Sequence, residues 1–146
     1  MSVQAQLISA ARDWLGTPYV HQASVRGAGC DCLGLIRGIW IEVYGAEPEL
    51  APPYTYDWSE PQHDEVLWRA AARNLMEKRH MTPELGDLLL FRMRDGSVAK
   101  HLGVQSQTGA HPRFIHAYAR HGVIESPLSA PWARRIVARF VFPEKD

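Results

Sequence analysis

From Gly86 to Phe142 the sequence breaks into short apolar stretches punctuated by glycine turns, and no other feature restricts the fold as strongly. Leu88 to Met93, His101 to Gln105, Arg113 to Tyr118, Val123 to Ser126 and Arg135 to Phe142 read as short strands. Asp95-Gly96, Thr108-Gly109 and His121-Gly122 punctuate them. Ahead of Gly86 the periodicity is helical. Helices first and clustered strands later predict an α+β domain with a small antiparallel sheet.

Two helices are expected near the N-terminus. In Ser2 to Leu15, Val3, Leu7, Ala11 and Trp14 recur at helical spacing, Ser2 is placed to cap the start, and Gly16 and Pro18 stop the run. In Asp31 to Tyr44, Leu33, Ile36, Trp40 and Val43 share a face, with Leu35 and Ile39 beside them, and Gly45 ends the helix. Gly34 and Gly38 each lower helix propensity by about 1 kcal/mol. They sit four apart on one face, which predicts close packing against another element.

Residues 45–84 read as an insertion lying on a single domain that spans 1–146. Glu47 to Trp58 is rich in Pro and Tyr and reads as loop. Ser59 with Gln62 forms a capping box, and a helix to about Arg79 follows, burying Val66, Leu67, Ala70, Ala71, Leu75 and Met76.

Of the 146 residues, 46% are apolar, enough for one core. Lys+Arg and Asp+Glu both number 16, so the formal net charge is +0, which argues against a nucleic-acid binder. No run approaches the roughly 18 apolar residues of a membrane span. The start, MSVQAQLISAARDW, lacks the basic and apolar regions of a signal peptide, so the expectation is a chain made in the cytoplasm without one.

Cys30 and Cys32 are the two cysteines, one residue apart. A bridge between them closes only a tiny, strained loop, so the chain is no disulfide scaffold. Cys30 reads as packing. Cys32 falls in the first turn of the second expected helix. The partial positive charge and unsatisfied N–H donors there favour thiolate, the nucleophilic form, and can hold an oxyanion. His101 opens one expected strand and His116 ends another. If these strands are antiparallel neighbours, the two imidazoles meet at one edge. Cys32, His101 and His116 then form nucleophile, base and orienter, with His116 fixing the tautomer of His101. A zinc site built from Cys30, Cys32, His101 and His116 has suitable residue types but unsuitable cysteine spacing. Neither a metal nor a cofactor is expected.

These residues resemble the NlpC-type cell-wall endopeptidases, a bacterial branch of the papain-like superfamily. The resemblance rests on Gly16-Thr17-Pro18-Tyr19, Asp31-Cys32-Leu33-Gly34-Leu35, Gly86-Asp87-Leu88, His101-Leu102-Gly103-Val104 and Ile115-His116-Ala117, in that order. It implies a papain-like fold and amide hydrolysis through an acyl-enzyme. The implied substrate is the peptidoglycan stem peptide, at the bond between D-glutamate and the diamino acid. Tyr19 is implied as a substrate- or oxyanion-binding residue, with a core aromatic as the alternative. Asp31 is implied as a substrate or helix-entry residue, a role compatible with capping. His21 draws interest because it follows Tyr19 so closely. The chain departs from the pattern at Leu33, where the family carries a serine that helps recognise the stem peptide in some members, and in the length of the Tyr54 to His80 insertion.

The tract His21 to Cys30 is similar to a narrower subgroup, the small peptidases encoded beside phage-tail and gene-transfer-agent genes. That similarity implies a tail or baseplate protein carried on a particle to the cell wall, with tail proteins as partners. The alternatives are a tail component that keeps the fold without turnover, and an amidase or acyltransferase on the same fold.

Overall fold

The computed structural model describes residues 1–49 and 64–145. The first helix, α1 (Val3–Asp13), starts where the Ser2 hydroxyl accepts a hydrogen bond from Ala5 N at 3.1 Å, and it buries Val3, Leu7, Ile8, Ala10 and Ala11. Trp14 closes it, and Gly16 turns the chain away at φ +88°. A short antiparallel hairpin, β1 (Ser24–Val25) with β2 (Gly29–Cys30), leads into α2 (Cys32–Tyr44). Asp31 caps α2 through Gly34 N, and Gly45 ends it in the left-handed region.

The two helix glycines have the packing role their spacing predicted. A Cβ at Gly34 would run into the Ala23 carbonyl, and one at Gly38 would enter the Trp14 ring. The hairpin and α1 therefore close on α2 to backbone distance.

After α3 (Val66–Asn74) come β3 (Met76–Glu77), β4 (Leu88–Phe91), β5 (His101–Gln107), β6 (Arg113–Tyr118), β7 (Gly122–Pro127), the short α4 (Ala130–Ala133) and β8 (Ile136–Val141). The larger sheet has the order β3-β8-β4-β5-β6-β7, and all its pairings are antiparallel. The α+β expectation holds. One side of the sheet, with Leu88, Leu90, Leu102, Val104 and Ile115, joins α1 and α2 in the main core. The other side carries a smaller cluster of Leu89, Phe91, Phe114 and Leu128, onto which Trp132 of α4 packs. No described helix is long and apolar enough to cross a membrane.

One expected element changes. The helix drawn to Arg79 stops at Asn74, whose side chain turns back to the Ala70 carbonyl. Leu67 and Ala71 are buried as expected, but Met76 is 66% exposed. Met76 and Glu77 instead pair with Val141 and Phe140. The reason is long-range: extended backbone at this point continues the sheet and carries Lys78 into a buried ion pair. The capping box Ser59–Gln62 and the loop beyond Glu49 fall outside the described residues.

That ion pair closes the sheet at the end of β5 away from His101. Asp87 accepts from Lys78 Nζ and Arg139 Nη1, both at 3.0 Å, and all three side chains are under 5% exposed. Arg139 also donates to Gln105 Oε1 at 2.7 Å. Asp87→Ala strips buried Arg139 of its carboxylate and leaves Lys78 only the exposed Glu84, 2.6 Å away, and is expected to cost about 3 to 5 kcal/mol. Urea unfolding measures this. A loss below about 1 kcal/mol would show that water replaces the carboxylate.

Candidate active site

Cys32 is the first helical residue of α2. Its Sγ donates to the Lys100 carbonyl at 3.3 Å. Backbone N–H groups of Leu33 and Leu102 face the sulfur and favour its ionised form. Lys100 and Leu102 flank His101, so the thiol sits against the backbone on both sides of that residue. The β5–β6 pairs run from Val104↔Ile115 to Gln107↔Arg113. The sulfur therefore meets β5 ahead of that ladder.

His101 and His116 come together as the strand geometry predicted. Nε2 of His101 lies 2.8 Å from Nδ1 of His116. Gly103 permits this approach, because a Cβ there would stand 2.8 Å from the Phe114 ring and 3.3 Å from His116 Cβ. The second nitrogen of His116, Nε2, lies 2.9 Å from Ser126 Oγ. Aromatic rings enclose the pair. Phe114 stacks on His116 at 4.1 Å, and Trp132 stands 5.0 Å from His116 and 5.6 Å from His101.

Burial decides the ionisation of the site. It pushes the Cys32 thiol up to about 12, with the Asp31 carboxylate adding to the effect, and the two N–H groups only partly oppose it. The thiolate expected from helix placement alone is thus corrected to a thiol at rest. A half-charge at a helix end does not outweigh desolvation beside a buried carboxylate. Burial likewise lowers His101 to about 4, and burial together with His101 and His121 lowers His116 to about 3. At neutral pH the resting pair is an uncharged thiol and an uncharged imidazole.

A pH dependence of stability follows. An unfolded histidine titrates near 6.5. Between about 6.5 and about 4 the unfolded chain binds more protons at His101 than the folded one does. This stabilisation is complete above about 6.5 and is lost as the pH falls through about 4, amounting to about 3 kcal/mol from His101 alone. Urea midpoints are expected to fall steadily from pH 7 to 4.5. A flat profile would mean that the rings are hydrated in the folded protein.

Asp31 is 2% exposed and holds the entry to α2 together. Its Oδ1 accepts from Gly34 N at 2.7 Å, its Oδ2 accepts from Gln22 N at 2.8 Å, and His21 Nδ1 lies 3.9 Å away. Tyr19 is held beside the same tract, because Cys30 N donates to Pro18 O and Val20 N donates to Cys30 O, both at 3.0 Å. It is partly buried and packs against the main core. Cys30 is fully buried within that core. Among the described residues, no three His, Cys, Asp or Glu side chains cluster to hold a metal.

Sequence reasoning missed Trp132 and Ser126. Trp132 gave no signal, lying on a four-residue helix whose position depends on the whole sheet. Ser126 was visible in principle. The pairing Tyr118↔Gly122 sets Ser126 opposite Phe114, diagonal to His116 and on its face.

Comparison with known proteins agrees with this architecture. The NlpC/p60 domain of the peptidoglycan hydrolase SagA superposes with a TM-score of 0.62 at 20% identity, over 95% of this chain and 98% of that one. An NLP/P60 lipoprotein-like protein from Staphylococcus aureus gives a TM-score of 0.66 at 18% identity, over 98% of this chain and 42% of that one. A probable endopeptidase of Haemophilus influenzae is 24% identical over 131 residues, 88% of this chain and 67% of the relative. The sequence profile of the NlpC/P60 family, whose members are cysteine peptidases, matches residues 16–141, and the chain belongs to that family.

Proposed function

We propose that the chain is a cysteine endopeptidase that cuts the peptidoglycan stem peptide between D-glutamate and the diamino acid, with Cys32 as nucleophile, His101 as general base and His116 as its orienting partner. One observation carries this reading: the Cys32 sulfur is held between backbone groups of the residues on either side of His101, and the ring of His101 is hydrogen-bonded to His116.

The neutral resting pair sets the order of events. As Sγ attacks the scissile carbonyl, its proton passes to His101, so charge develops only when the new bond forms. N–H donors at the start of α2 stabilise the oxyanion. The imidazolium then protonates the leaving amine, giving a thioester. Water deprotonated by His101 hydrolyses it and restores the thiol. In this reading Tyr19 lines the substrate side, and Asp31, buried with both oxygens engaged, acts through the helix entry it caps. The resemblance of the His21 to Cys30 tract supports delivery on a tail-like particle with tail proteins as partners.

Defined stem-peptide fragments, incubated with the protein and analysed by mass spectrometry, test the reaction. The expected products end in D-glutamate on one side and begin with the diamino acid on the other. Release of the intact peptide from the sugar would make the protein an amidase. No turnover of any fragment would favour a scaffold that keeps the fold alone.

A further inference from the structure

We propose that Ser126 is a positioning residue that closes the hydrogen-bond chain behind His101 and holds His116 in the tautomer the reaction needs. This rests on the reading of His101 as base.

The argument is a count of protons. While His101 carries the proton of Cys32, both its ring nitrogens are donors. Its Nε2–H must then point at His116 Nδ1, 2.8 Å away, which must accept. A neutral His116 that accepts at Nδ1 carries its own proton on Nε2. That N–H faces Ser126 Oγ at 2.9 Å. The serine oxygen is therefore the acceptor that lets His116 receive the proton-bearing edge of a charged His101.

Water does not readily take over this task. His116 is 0% exposed, stacked by Phe114 and edged by Trp132. With alanine at 126, the Nε2–H would be a buried donor without an acceptor. The opposite tautomer of His116, with its proton on Nδ1, then becomes favourable. It donates to His101 Nε2 and leaves the proton of His101 on Nδ1, the one nitrogen not used by His116. A base in that state cannot accept from Cys32.

Ser126→Ala and Ser126→Thr in the full chain test this, with 15N-labelled imidazoles read by long-range 1H–15N spectra at pH 7. Ser126→Ala is expected to move the His116 proton from Nε2 toward Nδ1 and to lower kcat about 10-fold with little change in KM, an orphan buried donor being the cause. Ser126→Thr keeps an oxygen acceptor and is expected to restore the wild-type tautomer and most of the rate. An alanine variant that folds, keeps Nε2–H on His116 and turns over at the wild-type rate overturns the assignment. So does a threonine variant that folds but fails to restore the tautomer. The tautomer half of each judgement is independent of the catalytic reading, which fails separately if Cys32→Ala remains active or if the wild type turns over no fragment. The tautomer readout needs no turnover.

Discussion

Cys32→Ala is expected to abolish hydrolysis, by on the order of 10^4-fold or more, while leaving the protein folded. In the mechanism proposed above the loss is this large because, among the described residues, no second accessible thiol can form the acyl-enzyme. Cys30 is sealed in the core, and its thiol is pushed up to about 12 by burial, with Asp31 adding to it. The fold survives because α2 keeps its Asp31 cap and its buried face of Leu35, Ile36 and Ile39. Alanine is also a better helix former than cysteine, so stability is expected to stay within about 1 kcal/mol. Cys32→Ser should be nearly as inactive, since a hydroxyl is a poorer nucleophile and His101, lowered to about 4, is a weak base. Single-turnover assays on stem-peptide fragments, with thermal melts alongside, check both claims. Hydrolysis by the alanine variant at more than a small fraction of the wild-type rate would remove Cys32 from the mechanism.

Local signals made much of this molecule legible in its sequence. Ser2, Asp31 and Gly45 mark helix ends because caps act within a turn of the residues they satisfy. The β6–β7 reversal was marked by His121-Gly122, and Gly122 does take the left-handed conformation, at φ +73°. His101 and His116 could be paired because opposite ends of neighbouring antiparallel strands coincide. What escaped depends on partners far along the chain. Met76 and Glu77 read as helix because their strand partner, β8, begins about sixty residues later. The ionisation of Cys32 escaped for the same reason. Helix position is local, whereas the desolvation that opposes it comes from the sheet and core closing around the sulfur.

His101→Ala is expected to lower kcat on the order of 10^3-fold, and His116→Ala by about 100-fold. The asymmetry is geometric. Both nitrogens of His116 are committed, Nδ1 to His101 and Nε2 to Ser126. His101 commits only Nε2 to that chain, and in the mechanism proposed above Nδ1 takes the thiol proton. It is also His101 whose flanking residues, Lys100 and Leu102, hold the sulfur. Among the described residues, no imidazole but that of His101 is so placed, and removing His101 takes it away. Removing His116 leaves the base present but misdirected, and opens beside Phe114 and Trp132 a space that water or added imidazole can enter. Exogenous imidazole is therefore expected to restore part of the rate to His116→Ala and little to His101→Ala. If instead both variants fold and His116→Ala is the more damaged, the thiol proton goes to the ring assigned here as orienter. The hydrogen bonds of His116 would then have to rearrange in the complex with substrate.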